Sequence, residues 1–440
     1  MNTQEIPTQD KNVVRLIKDG LDPIRNLEKP DLSSLLGRIG NARVVMLGES
    51  THGTKEFYEL RAKITMSLIR EKGFQLVALE ADWPDAEVVN DFIHGKRESW
   101  ETFRRFPEWM WRNTSFTHLV NELKTHNSSE ARLPASIFGL DLYSLSSSLH
   151  AVSSFLRQRM PEIAKKATAA EECLEPWRSD PSQYGLAVWR GAIKGCEGEV
   201  LDLLKTIHEK QLASSAGLNG ELLSAFQNAR VLRNAEEYYR SMYEGRVESW
   251  NLRDSHMFET VLVLLDHYGS DSKIVIWEHN SHLGNASATE MGKIGEHNVG
   301  QLCKAKFGEG CYSVGFMSDH GTVAAASAWE APVEIKALRA ARPDSFEFLL
   351  HATTNEADMK NFFLPLRSAH PQLRTELRKE RLERAVGVIY QPQTERSSHY
   401  FNAKLTDQFD EICWLDETTA VEPLPFIPET EAADTYPFGI

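Results

Sequence analysis

Seven short apolar segments dominate the hydrophobic pattern of this chain. They are continuous rather than alternating, they contain β-branched residues, and polar or glycine-rich residues follow each of them: RVVML (43–47), QLVAL (75–79), SIFGL (136–140), KIVIW (273–277), CYSVGF (311–316), RAVGVIY (384–390) and EICWL (411–415). Continuous apolar runs of this length are typical of strands that are covered on both faces. Because helical stretches separate them, the pattern predicts an α/β fold with a mixed or parallel central sheet flanked by helices.

The segment between residues 145 and 270 breaks this pattern. It holds no convincing strand and indicates long helices, namely LLKTIHEKQLA, LLSAFQNARVLRNAEEYYRSMY and HMFETVLVLLDHY. We therefore predict an inserted all-helical subdomain that covers the functional cleft of the α/β core. The predicted regions are an N-terminal arm at 1–40, a discontinuous core at 41–144 and 271–425, the insertion at 145–270 and a C-terminal tail at 426–440.

Composition and charge limit the kinds of molecule that the protein is expected to bind. The chain has 440 residues and a formal net charge of −14, which argues against nucleic acid and anionic membranes. No apolar run approaches the ~20 residues of a membrane helix, and the first residues lack the pattern of a secretory signal. The five cysteines form no C-x-x-C pair, so we expect reduced thiols in a cytoplasmic protein: Cys173, Cys196, Cys303, Cys311 and Cys413.

The residues that follow five of the apolar runs carry the candidate chemistry. In an open α/β sheet, ligands bind beyond the carboxyl ends of the strands. The side chains delivered to that edge are carboxylates, imidazoles and aromatic rings: Glu49 and His52, Glu80, Asp82 and Trp83, Asp141 and Tyr143, His279 and His282, and Asp319 and His320. Loops are polar in any protein, but four of the fifteen histidines fall in these few positions. The pattern favours a catalytic edge.

Glu49 and His52 are the strongest pair in this set. Gly48 and Gly53 bracket them, which permits a tight turn that approaches a ligand closely. A carboxylate three residues from an imidazole can hydrogen-bond it and raise its basicity, as a general base near neutral pH requires. The alternative is a capping turn, in which Thr54 caps the next helix and His52 is merely solvated.

Arg61 interrupts the apolar stripe of the predicted helix that follows. That stripe has helical spacing: Phe57, Leu60, Ile64 and Leu68. No acidic residue lies one turn away from Arg61, and an unpaired buried charge is too costly. Its partner is therefore expected to be Glu49, Glu80 or Asp82, or a substrate.

Two other kinds of chemistry use the same residues. The sequence around Ser50 nearly matches the nucleophile elbow G-x-S-x-G, but His52 stands where a small residue is needed. Metal binding is a second alternative, because the cluster contains zinc-compatible ligand types: Glu49, His52, His279 and His282.

Aromatic and basic residues complete the predicted site. Trp83, Trp109, Trp111 and Tyr143 form either an apolar wall of the cleft or, for Trp109 and Trp111, part of the core. Near residue 250 a further helix is expected to start. From it, Arg253 or His256 reaches the sheet edge, unless Arg253 only pairs with its neighbour Asp254 on the surface.

The motifs together resemble one known family. GESTHG, followed by FYELRAKITMSLIREKGFQLVALEADWPDAEVVNDFIHG, is similar to the erythromycin esterase family. Later motifs extend the resemblance in order over roughly residues 35–425: FPEWMWRN, SWNLRDSHM, EHNSHLGNASATEMG, VGQL, HGTVAA and ERSSHYFNAKLTDQFDEICWLDETTAVEPL. The chain looks more like the broad environmental branch of that family than like the macrolide-hydrolysing esterases.

The resemblance implies a metal-independent hydrolase with an α/β core and a helical subdomain over a deep cleft. It implies that His52 activates water against an ester or lactone carbonyl, and that Glu49, Arg61, His279 and His282 complete the site. Glu278 departs from the family pattern, where a small residue is expected before the histidine loop. A further carboxylate there raises the basicity of the histidine loop or favours a cation, so it weakens the implied metal independence.

We therefore expect a hydrolase of a small-molecule ester or lactone, with no cofactor and no covalent intermediate. His52 is the expected base, Glu49 orients it, and His282 or His279 and Arg61 assist. The residues expected to bind substrate are Glu80, Asp82, Trp83, Asp141, Tyr143, Arg253 and His320. A metal-dependent hydrolase that uses the Glu49 cluster and a protein that only sequesters a bulky hydrophobic ligand are the alternatives.

Overall fold

The computed structural model describes residues 6–129, 133–178, 180–213 and 220–426. Within these ranges the strands are β1 (Asp22–Pro23), β2 (Val44–Leu47), β3 (Leu76–Asp82), β4 (Ser136–Asp141), β5 (Ile274–Trp277), β6 (Cys311–Ala326), β7 (Val333–Leu338), β8 (Asn361–Pro365), β9 (Arg381–Arg384), β10 (Tyr400–Ala403) and β11 (Glu411–Thr418). The helices are α1 (Thr8–Gly20), α2 (Ser33–Ile39), α3 (Lys55–Lys72), α4 (Trp83–Ile93), α5 (Thr114–Ser128), α6 (Leu145–Arg159), α7 (Ala164–Leu174), α8 (Pro181–Trp189), α9 (Glu197–Ala213), α10 (Gly220–Ser241), α11 (Arg246–His267), α12 (Asn280–Leu283), α13 (Glu290–Lys293), α14 (Val299–Phe307), α15 (Phe346–Ala357), α16 (Pro371–Leu377), α17 (Glu395–Ser398) and α18 (Leu405–Gln408). The predicted mixed α/β class is confirmed.

The chain divides into two compact units, and the first holds most of the sheet. It consists of Met1–Gln75, Trp109–Leu123 and Lys273–Leu424. Its strands lie in the order β1-β8-β11-β6-β2-β5. The pairs from β11 to β5 are parallel, whereas β1 with β8 and β8 with β11 are antiparallel. The far half of β6 pairs with β7 in antiparallel fashion.

Helices α1, α15 and α16 supply the apolar cover for one part of this sheet. Their buried side chains pack with those of β6, β8 and β11 in a single cluster that includes Val14, Leu350, Phe362 and Trp414. The strands are therefore buried, as their continuous apolar runs predict.

Six of the seven apolar runs form strands, and the prediction for 384–390 is wrong. Strand β9 ends at Arg384. Beyond it the backbone bonds only at isolated points: Val386 pairs with Thr51 and Ile389 with Ala326. These apolar residues form single bridges to other segments rather than a continuous strand ladder. Hydrophobic periodicity cannot distinguish the two arrangements.

The second unit is mainly helical and consists of Leu76–Glu108, Lys124–Ser272 and Pro425–Ile440. Strands β3 and β4 pair in parallel within it. Helices α6 to α11 occupy the stretch that the sequence predicts as helical, and they share an apolar cluster that includes Val152, Leu203, Leu232 and Tyr239.

The expectation of uniformly reduced cysteines is wrong for this unit. Cys173 and Cys196 form a disulfide with Cα atoms 5.9 Å apart, while Cys303, Cys311 and Cys413 are free and buried. Packing in the helical core brings the end of α7 close to the residues just before α9. The spacing of the cysteines along the sequence does not indicate that contact.

Two further predictions concern the chain ends and membranes. Most of the predicted C-terminal tail, from residue 427 onward, lies outside the described residues, and Phe426 is exposed. Among the described helices, none is both long enough and apolar enough to cross a bilayer.

Candidate active site

The turn after β2 and the loop after β5 emerge at the same end of the sheet. Leu47, the last residue of β2, is paired in parallel with Trp277 of β5 and with Val314 of β6. The backbone N–H of Asn280 donates to the carbonyl oxygen of Glu49 over 2.8 Å. The two segments that the sequence marks as histidine-bearing are therefore joined directly.

The side chain of Asn280 joins this loop to β6 as well. Its Nδ2 donates to the carbonyl oxygen of Phe316 over 3.0 Å, and its Oδ1 accepts from the Phe316 N–H over 3.3 Å. A Cβ atom on Gly48 would collide with the same amide oxygen. Sequence analysis did not single out Asn280, although its position between two candidate histidines is a usable signal.

Glu49 lies between His52 and Arg61. One carboxylate oxygen is 3.0 Å from Nδ1 of His52, and the other is bound by Nη2 of Arg61. Glu49 is 1% exposed and His52 7%. Because an ionised carboxylate only accepts hydrogen bonds, His52 carries its proton on Nδ1 and presents the lone pair of Nε2.

The guanidinium of Arg61 is held by aromatic faces as well as by Glu49. It lies 4.8 Å from the ring centroid of Tyr58 and 4.5 Å from that of Trp277. Within the described residues, Nε and Nη1 of Arg61 make no hydrogen bond, so the rings stabilise the remainder of the charge. The interpretation of Arg61 as buried and paired with a distant carboxylate is confirmed, with Glu49 as that partner.

The Nδ1 atom of His279 has the opposite hydrogen-bonding role to that of His52. Its Nδ1 accepts from the backbone N–H of Ser281 over 3.2 Å, at the start of α12. The proton of the neutral ring is therefore on Nε2, which makes that nitrogen a donor. The His52 and His279 ring centroids are 4.9 Å apart. His282 is buried on α12.

Gly53 allows a neighbouring backbone segment, rather than a ligand, to approach the turn closely. A Cβ atom there would collide with the Ala324 carbonyl, and the Gly53 carbonyl oxygen accepts from the N–H groups of Ala324 and Val421 at 3.1 and 2.9 Å. Lys55 N–H donates to the carbonyl oxygen of Thr419 over 2.8 Å. The turn is therefore fixed by β6 on one side and by residues 419–421 on the other.

The same segment continues past residue 421 and bonds to a third part of the first unit. The N–H of Thr114 donates to the carbonyl oxygen of Glu422 over 3.0 Å, and the N–H of Leu424 donates to that of Arg112 over 2.8 Å. Residues 419–424 therefore connect the start of α3 to the chain just before α5.

The structure decides between several alternatives left open by the sequence. Thr54 occupies the N-cap position of α3 but makes no capping hydrogen bond through its side chain, and His52 is buried, so the capping-turn interpretation is wrong. Trp109 and Trp111 are buried, and the Trp111 ring packs edge-on against Tyr58 at 6.1 Å. They belong to the core.

Arg253 is the centre of a second charged cluster, inside the helical unit. Its Nε and Nη2 bind both oxygens of Asp141 at 2.9 and 2.7 Å, and Nη2 also lies 2.9 Å from Glu80. Burial is the largest single effect and opposes the charge, but Asp141, Tyr143 and Glu80 together hold the pKa of Arg253 well above its usual value. The interpretation of Arg253 as a surface partner of Asp254 is wrong.

Tyr143 belongs to the same cluster. Its ring lies 5.0 Å from the Arg253 guanidinium and packs edge-on against Tyr238 at 5.3 Å. Burial raises the pKa of the Tyr143 hydroxyl well above its usual value, so the phenol stays neutral. His256 lies against Nδ2 of Asn234 at 2.7 Å.

The remaining expected substrate-binding residues also have protein neighbours. Asp82 is bound by Arg105, which the sequence analysis did not select. Trp83 is 3% exposed and stacks on Phe138 with ring centroids 5.4 Å apart. His320 lies beside Asp319, with Nδ1 2.8 Å from the carboxylate.

The donor atoms around Glu49 do not have the arrangement of a metal site. Within the part of the chain that the structure describes, no three of Glu49, His52, His279 and His282 bring donor atoms within 4.8 Å of one another. The Nδ1 atoms of His52 and His279 are each engaged in hydrogen bonds.

Two curated proteins are similar to this chain over most of its length. The putative hydrolase YbfO of Bacillus subtilis is 22% identical over 419 residues, which cover 90% of this chain and 88% of YbfO. The erythromycin esterase type II of Escherichia coli is 24% identical over 318 residues, covering 67% of this chain and 73% of that protein.

Solved structures share the fold. A succinoglycan biosynthesis protein has a TM-score of 0.78 at 19% identity, covering 95% of this chain and all of its own. A Bacillus cereus protein has a TM-score of 0.79 at 17% identity with the same coverage. A mutant erythromycin esterase in its open conformation has a TM-score of 0.66 at 16% identity, covering 93% of this chain and all of its own.

The family model for erythromycin esterase matches residues 69–418. This span contains the loop with His279 and His282, and it begins after the turn that carries Glu49 and His52. Since it covers most of the chain, the protein belongs to the erythromycin esterase family and is a hydrolase.

Proposed function

We propose that the protein hydrolyses an ester or lactone with a water molecule that His52 activates, without a metal ion and without a covalent intermediate. The observation that carries the proposal is the simultaneous contact of the buried Glu49 carboxylate with His52 and Arg61. This contact fixes the imidazole tautomer whose Nε2 can accept a proton. Arg61 keeps the carboxylate in place.

In the proposed reaction, Nε2 of His52 removes a proton from water as the water oxygen attacks the carbonyl carbon. The imidazolium that forms is stabilised by the carboxylate of Glu49, which Arg61 holds in place. Collapse of the tetrahedral intermediate breaks the bond to the alcohol oxygen, which takes the proton back from His52. The products are a carboxylic acid and an alcohol, or a hydroxy acid from a lactone.

His279 is the proposed donor to the developing oxyanion. Its Nδ1 is occupied by the Ser281 N–H, so the ring offers an Nε2–H, and its centroid lies 4.9 Å from that of His52. Donors of this kind, fixed before the reaction, contribute strongly to acyl transfer.

The test is a panel of esters and lactones, including macrolides, with wild type and His52→Ala. We expect at least one substrate to be turned over and His52→Ala to lose ~10²-fold or more in kcat, as for removal of a general base. Circular dichroism confirms that the variant is folded. Wild-type rates in folded His52→Ala would overturn the assignment.

Further experiments distinguish this proposal from the alternative functions. Ser50→Ala is the matched control for a nucleophile in the same turn, and we expect it to keep far more activity than His52→Ala. A chelator is expected to leave the initial rate unchanged; loss of activity that returns with added Zn²⁺ would favour the metal-dependent hydrolase. Product analysis that finds only intact ligand would favour a protein that sequesters its ligand.

A further inference from the structure

A second group of histidines and carboxylates lies in the first unit, apart from the Glu49 turn in sequence. It contains two neighbouring residues of β6, one residue of α15 and one of β11: Asp319, His320, His351 and Asp416. Among the described residues, Asp319, His320 and His351 bring donor atoms within 4.8 Å of one another.

The distances within this group centre on two atoms. Oδ2 of Asp319 is 2.8 Å from Nδ1 of His320 and 3.6 Å from Nδ1 of His351. Oδ1 of Asp416 is 2.7 Å from the same nitrogen of His351. Three residues, Asp319, His320 and His351, therefore bring donor atoms around a small volume, and Asp416 contacts His351.

Hydrogen bonds from neighbouring backbone and side chains hold Asp319 in place. Oδ1 of Asp319 accepts from the N–H of Ala341 over 2.9 Å, and its carbonyl oxygen accepts from Nη1 of Arg384 over 2.7 Å. Strands β6 and β11 are in parallel register on either side of the two acids, with Ser318 opposite Leu415. Outer hydrogen bonds of this kind orient metal ligands.

Exposure differs between the acids and the imidazoles. The side chains of Asp319 and Asp416 are 4% and 8% exposed, whereas those of His320 and His351 are 39% and 31% exposed. The charge of the site is therefore buried, and the two imidazoles form a rim through which an ion from solvent can enter.

We propose that Asp319, His320 and His351 form a binding site for a divalent transition-metal ion, with Asp416 beside His351, and that Zn²⁺ fits it best. Zn²⁺ bound to nitrogen and oxygen at 2.0–2.2 Å in a tetrahedral site separates its ligands by about 3.3 Å. The distances of 2.8 and 3.6 Å from Asp319 to the two imidazoles lie on both sides of that value, so small side-chain rotations suffice. To bind the ion through Nδ1, each imidazole carries its one proton on Nε2, and any second proton is released to solvent.

The donor set selects among cations. Mg²⁺ and Ca²⁺ prefer oxygen ligands alone, whereas two imidazoles and one carboxylate suit Zn²⁺ and its neighbours. The competing explanation is a proton-filled network, in which a charged His351 joins the two carboxylates. The two explanations differ in whether the folded chain retains one ion.

The experiment measures retention of Zn²⁺ by the full chain without an affinity tag. The protein is stripped with chelator, loaded with one equivalent of Zn²⁺ and desalted, and its metal is counted by mass spectrometry. Competition with a chromophoric chelator gives the affinity. We expect one ion per chain in wild type and at least ~10-fold weaker binding in His320→Ala and His351→Ala.

Controls assign the ion to this site. His118→Ala removes an exposed histidine that faces Glu122 at 3.9 Å, and His52→Ala removes the principal histidine of the Glu49 cluster; both are expected to retain the ion. If His351→Ala does not fold, Asp319→Asn replaces it, because an amide oxygen can still accept from Ala341. Zn²⁺ is also expected to raise the Tm of wild type and not that of the site variants. The proposal would be overturned if wild type failed to retain one ion per chain. It would also be overturned if the site variants bound Zn²⁺ as tightly as wild type does.

Discussion

Arg61 and Glu49 form an ion pair in which both side chains are closed to solvent, with exposed fractions of 0% and 1%. Burying two charges is costly unless each remains paired. The arginine comes from the interior of α3 and the glutamate from the turn that precedes this helix. The pair therefore fixes the carboxylate that contacts His52, and it makes the turn and the helix depend on each other.

Loss of the Arg61 guanidinium should affect stability and activity together. Arg61→Ala leaves a buried carboxylate without its cation, which is expected to lower the free energy of unfolding by about 3–5 kcal/mol. Arg61→Lys should restore stability better than activity, because an ammonium lacks the planar geometry of the guanidinium. Urea unfolding and kcat of both variants are the measurements. Arg70→Ala, at an exposed position of the same helix, is the control, and equal stability of the two alanine variants would contradict the prediction.

Gly53→Ala should displace the turn. The new methyl group would meet the backbone of Ala324, and neither backbone can move without breaking the hydrogen bond between them. Overpacking of this kind costs about 1–3 kcal/mol, and we expect activity to fall with it. Gly37→Ala is the matched control: nothing lies near the added atom, and its position within α2 predicts a gain of roughly 0.5–1 kcal/mol. Thermal melts that rank the two variants in the reverse order would refute the steric argument.

Acid should destabilise the protein in part through His399. Burial lowers the pKa of His399 from 6.5 to about 4, and its Nε2 accepts from the N–H of Gln391 over 3.0 Å. As pH falls from 6.5 to 4, the unfolded chain gains a proton that the folded chain does not, so up to about 3 kcal/mol of stability is lost. Above pH 6.5 this contribution is complete.

The variant His399→Gln isolates this effect, because its amide oxygen can still accept from Gln391 and does not titrate. We expect the free energy of unfolding of the variant to fall less steeply between pH 6.5 and 4 than that of wild type. Parallel curves over this interval would show that His399 does not drive the loss.

Reduction of the Cys173–Cys196 disulfide should weaken the helical unit. The two cysteines are 23 residues apart, and closing a loop of that length is worth about 3 kcal/mol in the chain-entropy account. We expect reductant to lower the Tm of wild type to that of Cys196→Ser and to leave that variant unchanged. The three free cysteines are buried, so an effect of reductant on the variant would point to a different cause.

The sequence predicted those features that depend on local pattern. Continuous apolar runs located the buried strands such as β2 and β5, and helical spacing placed Arg61 inside α3 with a partner elsewhere. Strand β8 was missed because NFFLP is short and contains both Asn361 and Pro365, which are uncommon in strands.

The features that sequence analysis missed depend on contacts between distant segments. His351 lies within α15 and belongs to no motif, so its position beside Asp319 and Asp416 follows only from the packing of that helix on the sheet. Arg105 has no spacing relation to Asp82, because a loop places it there. In both cases the residue type suggests chemistry, and only the fold supplies the partner.

Synthesis from the N-terminus delivers Glu49 and His52 long before residues 419–424 exist. Until those residues leave the ribosome, the carbonyl oxygen of Gly53 and the N–H of Lys55 cannot bond to Val421 and Thr419. Strands and helices made earlier can begin to pack during translation, but the turn is completed among the last elements of the described chain. Translation that stops before this segment therefore yields a product without the finished turn, however much of the sheet it contains.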